Sequence, residues 1–113
     1  SGEPLYEQAL NLPNQGYIPN LPEGAIVEVP AVVGANGPLG VGVGPLPEPV
    51  AELCRRQIAV AELSVAAAVQ GDRRLALQAL ALDPMVDDLD VARNLLDDYL
   101  ETHQAYLPQF TAE

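Results

Sequence analysis

Few residues in this chain carry catalytic chemistry at neutral pH, and they lie apart. His103 is the only histidine, so a nucleophile-base triad or a histidine metal site has to be built around it. It falls between Tyr99 and Tyr106 on the apolar stripe of a helical pattern, which is the place of a packing or interface histidine. Cys54 is the only cysteine, so neither a disulfide nor a cysteine-based zinc site can form within the chain. Arg55 and Arg56 follow it and would activate the thiol only if their heads came close. A buried packing cysteine is the expectation.

The acidic cluster Asp83, Asp87, Asp88 and Asp90 suggests calcium at first sight. It lacks the alternating Asp/Asn-Gly pattern and closing glutamate of a calcium loop. Helix capping and a favourable helix dipole account for it. Asp97, Asp98 and Glu101 read as a solvated helix face, and pairs of carboxylates that an ordinary glycosidase needs cannot be assigned in so acidic a chain. Arg73 and Arg74 are sharper: two cations at a helix start oppose the dipole and call for an anionic partner, expected to be a carboxylate of the protein itself. The run Gly40, Gly42, Gly44 lacks the third glycine of a dinucleotide loop and the G-K-[ST] of a phosphate loop. Close approach of another segment is its expected use.

The elements that would position these groups follow from punctuation and period. Residues 1–24 are broken by Pro4, Pro13, Gly16, Pro19, Pro22 and Gly24, which marks loop or edge strand. From Ala25 to Val33 the alternate residues Ala25, Val27, Val29, Ala31 and Val33 are apolar, the pattern of a strand with one buried face. Pro30 within it cannot donate to a ladder and belongs at an edge or a bulge. Asn36-Gly37 is the strongest hairpin signal, and Leu39, Val41 and Val43 continue into a second strand.

Helix formers then take over. Pro49 in a first turn and Gly71 just past the end predict a helix over 48–70. Val50, Leu53, Cys54, Ala61, Val65, Ala68 and Val69 mark one face, but Val60, Leu63 and Ala67 make the helix apolar most of the way round, so it needs cover on more than one side. Asp72 caps a shorter helix that Asp83-Pro84 ends. Asp87 or Asp88 opens a last one whose apolar residues include Leu89, Ala92, Leu96 and Leu100, closed by Pro108. The expected fold is α+β: an N-terminal loop and a β-hairpin or strand pair over 25–44, then three α-helices over 48–107, within a single domain of 1–113.

Composition removes several function classes. Five arginines and no lysine stand against sixteen acidic residues, a net charge of −11, which repels phosphate backbones and anionic lipid. Neither nucleic acid nor a membrane is an expected partner. No run of about 18 apolar residues is present, and the N-terminus lacks the basic-then-apolar form of a signal peptide. Cytoplasmic localisation is the expectation. With 49% hydrophobic but only 4% aromatic residues, the core must be aliphatic.

The ordered segments "NLPNQGYIPNLPEGAIVEVPAVV", "GPLPEPVAELCRRQIAVAELSVAAAVQGDRRLALQALALDP" and "YLPQF" resemble the C-terminal part of the family 4 glycoside hydrolases, the α-glucosidase, α-galactosidase and 6-phospho-β-glucosidase group. The likeness runs from Asn11 to Phe110. It implies that residues 1–113 are a fragment of a lactate and malate dehydrogenase-like C-terminal domain, which partners an N-terminal Rossmann domain holding NAD, with a divalent metal, often manganese, on a cysteine and a histidine between them. The implied chemistry oxidises the sugar at C3, removes the C2 proton, eliminates the aglycone and reverses, outside the two-carboxylate scheme.

The glycine loop, metal ligands, acid and base of that family lie upstream of the matching region. The resemblance therefore assigns no catalytic, cofactor-binding or metal-binding residue here, and neither Cys54 nor His103 matches the metal motifs. It implies a structural and oligomerisation domain of an NAD- and manganese-dependent glycosidase, inactive alone, whose partners are the rest of the enzyme or a second subunit, with carbohydrate as substrate and a homo-oligomer as assembly. Asn11, Asn14 and Asn20, on a loop leading into a rigid strand, are its substrate-pocket candidates. The alternative is a stand-alone acidic protein-interaction domain without enzymatic activity.

Overall fold

The computed structural model describes residues 2–111. Three strands, β1 (Leu5–Pro13), β2 (Ile26–Gly34) and β3 (Gly37–Gly40), precede three helices, α1 (Glu48–Gln70), α2 (Arg73–Leu82) and α3 (Leu89–Thr102), and two 3-10 turns, Gln104–Tyr106 and Pro108–Phe110. The chain divides into two compact units, residues 1–55 and 56–113, with the boundary inside α1.

In the first unit the strands form an antiparallel sheet in the order β1-β2-β3. The N-terminal region expected as loop or edge strand supplies an edge strand, so the expected pair becomes three. Glu7 stands opposite Ala31 and Leu10 opposite Val29, so Gln8 and Ala9 together face Pro30. This is a bulge at the one residue of β2 that has no N–H to give. On the other side the Pro30 carbonyl accepts from Val41 N at 2.8 Å.

Val27, Val29 and Ala31 are buried, while Ile26 and Val32 on the opposite face of β2 are exposed. The alternation in the sequence thus gives the correct buried face. Ala35 and Asn36 make the hairpin turn. Only Gly37 there has a positive φ, of 97°, which excludes a type I′ turn and fits a type I turn closed by a glycine bulge. β3 stops at Gly40, short of the expected Val43: Val41 keeps its bond to Pro30, and Val43 N turns to Tyr17 O.

In the second unit α1 ends in a glycine cap: Gly71 takes φ 65°, and Asp72 N donates back to Ala67 O at 3.1 Å. The Asp72 carboxylate accepts from Arg74 N and Leu75 N to start α2, and Asp88 accepts from Asp90 N and Val91 N to start α3. Ala67, Ala79, Ala92, Leu96 and Leu100 are buried. This alanine-rich interior leaves an apolar groove of about 530 Å³, lined by Ala67, Ala79, Leu96, Leu100, Leu107 and Phe110 among others. The face of α1 marked by Val50, Leu53, Val65 and Val69 is not covered; these side chains are exposed, and Ala51 and Ala67 are the buried positions of the helix. A helix apolar on every side does not announce which side packs.

Candidate functional site

The most ordered polar arrangement is the loop between β1 and β2 together with the first turns of α1. Two layers hold it. The inner layer is Asn14, 1% exposed. Its Oδ1 accepts from Ile18 N at 3.1 Å, and its Nδ2 donates to the carbonyls of Ile18 (3.0 Å), Leu21 (3.2 Å) and Pro22 (3.1 Å). Its backbone adds Asn14 N to Ala25 O at 2.7 Å and Gly24 N to Asn14 O at 2.8 Å. One amide therefore satisfies the interior of a proline-interrupted loop, at Ile18, Leu21 and Pro22. Ile18 and Leu21 are buried beside it in the sequence.

The outer layer ties the loop to neighbouring segments of the same unit. Tyr17 Oη accepts from Gly40 N at 3.2 Å, and Tyr17 O accepts from Val43 N at 2.9 Å. Asn20 pairs with Leu46 like a strand residue, donating to its carbonyl at 2.8 Å and accepting from its N–H at 2.9 Å. Asn20 Nδ2 also reaches Glu48 Oε2 at 3.3 Å. Arg55, one side of α1 away, donates to Asn20 O at 2.9 Å, Glu48 Oε1 at 2.5 Å and Glu52 Oε2 at 2.9 Å. Arg55, and then Asn20, hold the Glu48 carboxyl below its ordinary pKa range. Glu52, followed by Glu48, raises that of the Arg55 guanidinium.

The three asparagines expected at a sugar pocket thus take different places. Asn14 is internal and Asn20 is half-buried and bonded to Leu46, whereas Asn11 is exposed on β1, opposite Glu28 in register. The part sequence reasoning missed is the Glu48, Glu52, Arg55 set. Its spacing puts the three on one helix face and was the available signal; their link to Asn20, 35 residues before Arg55, had none.

The other candidates are dispersed. His103 ends α3, its ring 4.5 Å from that of Tyr99 at 50°. Cys54 is a half-buried free thiol. Arg73 meets Asp97 at 2.6 Å, the carboxylate partner its position called for, and Arg74 lies 3.8 Å from Asp72. Asp72, Asp83 and Asp88 accept from backbone N–H groups.

Among the described residues no group of three His, Cys, Asp or Glu side chains is arranged to hold a metal. The glycine run does not fit a pyrophosphate either. It leads into α1 through Pro45 and Pro47, and the first turn of α1 carries Glu48, a negative charge where a dinucleotide needs a bare helix N-terminus.

Comparison with known proteins supplies what this geometry lacks. The model of the "Family 4 glycosyl hydrolase C-terminal domain" matches residues 2–86. A probable 6-phospho-β-glucosidase of Bacillus subtilis is 40% identical over 103 residues, 91% of this chain and 23% of that enzyme. A 6-phospho-α-glucosidase from gut microorganisms, solved with NAD and glucose-6-phosphate, superposes with TM-score 0.85 at 35% identity, over 90% of this chain and 23% of that one. The 6-phospho-β-glucosidase of Thermotoga maritima, solved with manganese, NAD+ and glucose-6-phosphate, gives TM-score 0.86 at 25% identity, over 95% and 26%. The chain thus spans about a quarter of the length of these relatives. With residues 2–86 matched and the fold shared, the chain belongs to the family 4 glycosyl hydrolases, and what it forms is their C-terminal domain.

Proposed function

We propose that this chain is the structural and assembly domain of an NAD- and manganese-dependent glycosidase that hydrolyses O-glycosyl bonds of 6-phosphorylated glucosides, and that it has no catalysis of its own. The observation that carries the reading is the match to the family's C-terminal domain over residues 2–86 in a chain whose described residues offer no group of side chains arranged to hold a metal. Relatives solved with NAD, manganese and glucose-6-phosphate support the cofactors and the substrate class. NAD and the metal supply redox and Lewis-acid chemistry from elsewhere in the enzyme; the residues here supply a rigid wall.

Within that reading, the loop carrying Asn14 and Asn20, together with Asn11 on the adjoining strand β1, borders the sugar pocket of the complete enzyme. Asn14 and Asn20 act by holding its shape, and Asn11 offers a free amide. Exposed apolar side chains on α1 and the open groove of the helical unit support cover by the Rossmann domain or a second subunit, and a homo-oligomer. The lone cysteine and the acidic surface support a cytoplasmic setting.

The test is turnover of nitrophenyl 6-phosphoglucosides by the complete enzyme with NAD and manganese present, withheld singly, and replaced by this chain alone. Activity that needs both and is absent from this chain is the expected result. Turnover by this chain alone, or by the enzyme stripped of both, overturns the reading.

A further inference from the structure

The loop of residues 14–22 has more attachment than its own conformation requires. Asn14 already satisfies the loop's interior, yet a second set of bonds joins its far end to α1. Arg55 is the hub: one guanidinium nitrogen donates to Asn20 O, and the other bridges Glu48 and Glu52. Glu48 in turn accepts from Asn20 Nδ2. The circuit closes on itself, with a planar fork holding a backbone carbonyl and two carboxylates in fixed directions, as a lysine could not. Arg55 keeps a third of its side chain exposed, so the circuit is a surface clamp and not a buried folding element.

We propose that Arg55 is a positioning residue, which fixes the 14–22 loop through Asn20 and Glu48 and thereby sets the sugar affinity of the complete enzyme. This rests on the reading that the loop borders the sugar pocket. The loop is the only part of the clamp that meets the sugar; Arg55 acts through it. A clamp of this kind lowers the cost of binding, because the loop is ordered before the sugar arrives.

The test compares the complete enzyme with its Arg55→Met and Glu48→Gln variants, both partly solvent-exposed positions where folding is not at stake. Arg56→Met is the control, since Arg56 donates to Leu82 O and does not touch the loop. Two quantities are read: amide exchange over residues 14–22, and the KM and kcat of a nitrophenyl 6-phosphoglucoside. Faster exchange confined to the loop, with KM raised on the order of tenfold and kcat nearly unchanged, is the expected result for both variants and not for the control. Unchanged exchange overturns the clamp while leaving the pocket reading intact. Faster exchange with unchanged KM overturns the positioning role because the loop then does not border the sugar, and the pocket reading falls with it. Equal effects in Arg56→Met overturn both as artefacts of charge.

Discussion

The Tyr17 ring lies across Gly40 so closely that a methyl group added there would stand 2.5 Å from Tyr17 Cζ, and the same tyrosine accepts a hydrogen bond from Gly40 N. The close approach expected for the glycine run is therefore made at Gly40 alone, where the loop's ring locks onto the last residue of β3; a Cβ at Gly42 or Gly44 would meet nothing within 4 Å.

Gly40→Ala is expected to destabilise the sheet unit by about 1–3 kcal/mol, since the ring must leave and take its acceptor with it. Denaturant unfolding measures the loss. Most of it should disappear in a Tyr17→Leu background, where a smaller side chain can move aside, and a cost that persists there shows that the ring is not its cause.

Asn14 gives a second prediction with a pH signature. Asn14→Ala removes the four side-chain hydrogen bonds that hold the loop's interior and should cost about 2–4 kcal/mol. Asn14→Asp keeps an acceptor for Ile18 N but turns an oxygen toward the three carbonyls that now accept from Nδ2. Burial and those carbonyls raise the introduced carboxyl's pKa above its unfolded value. A raised acid binds protons more tightly when folded, so the variant regains stability as pH falls through that raised pKa and is weakest at neutral pH. A thermal midpoint of the Asp variant that fails to rise relative to wild type between pH 7 and mildly acid pH rules the account out.

Glu48 predicts the opposite sign. Hydrogen bonds from Arg55 and Asn20 depress its folded pKa, so its contribution is present above the ordinary glutamate range and lost as pH falls through the lowered value. Amide protection over residues 14–22, taken relative to the intrinsic exchange rate at each pH, should fall in acid, and Glu48→Gln should remove that component of the acid response. The exposed position keeps the effect small, and high salt should shrink it further.

What could be read from the sequence divides along physical lines. Helix limits were legible because they are set by local chemistry: Pro49 and Gly71 bracket α1, and Asp72 and Asp88 cap the next two helices. β1 was only half legible. Its apolar residues fall at Leu5, then at Leu10 and Leu12, and the bulge at Gln8 and Ala9 shifts the parity between them, which breaks the two-residue period. The packed side of α1 was not legible, since Val50, Leu53, Val65 and Val69 are as apolar as the residues that are buried. The roles of Asn14 and Asn20 needed the fold, because their partners are mostly backbone atoms that sequence does not distinguish. Family membership, by contrast, was carried by segment order.

The exposed row on α1 carries the last prediction. Val65 is 64% and Val69 79% exposed, one helical turn apart. If the rest of the enzyme or a second subunit covers them, a carboxylate there has to be buried or the interface opened. Fully burying a valine is worth about 1.5–3 kcal/mol, and replacing it with an unpaired charge reverses that gain and adds a desolvation cost. Val65→Glu and Val69→Glu are thus expected to lower the sedimentation coefficient or the solubility of the complete enzyme. Met85→Glu, at a side chain 89% exposed outside any helix, should leave both unchanged. Wild-type sedimentation, solubility and turnover in both valine variants would mean that this face of α1 stays in water in the assembled protein, and the cover would have to be sought over the groove between Ala67, Leu96 and Phe110.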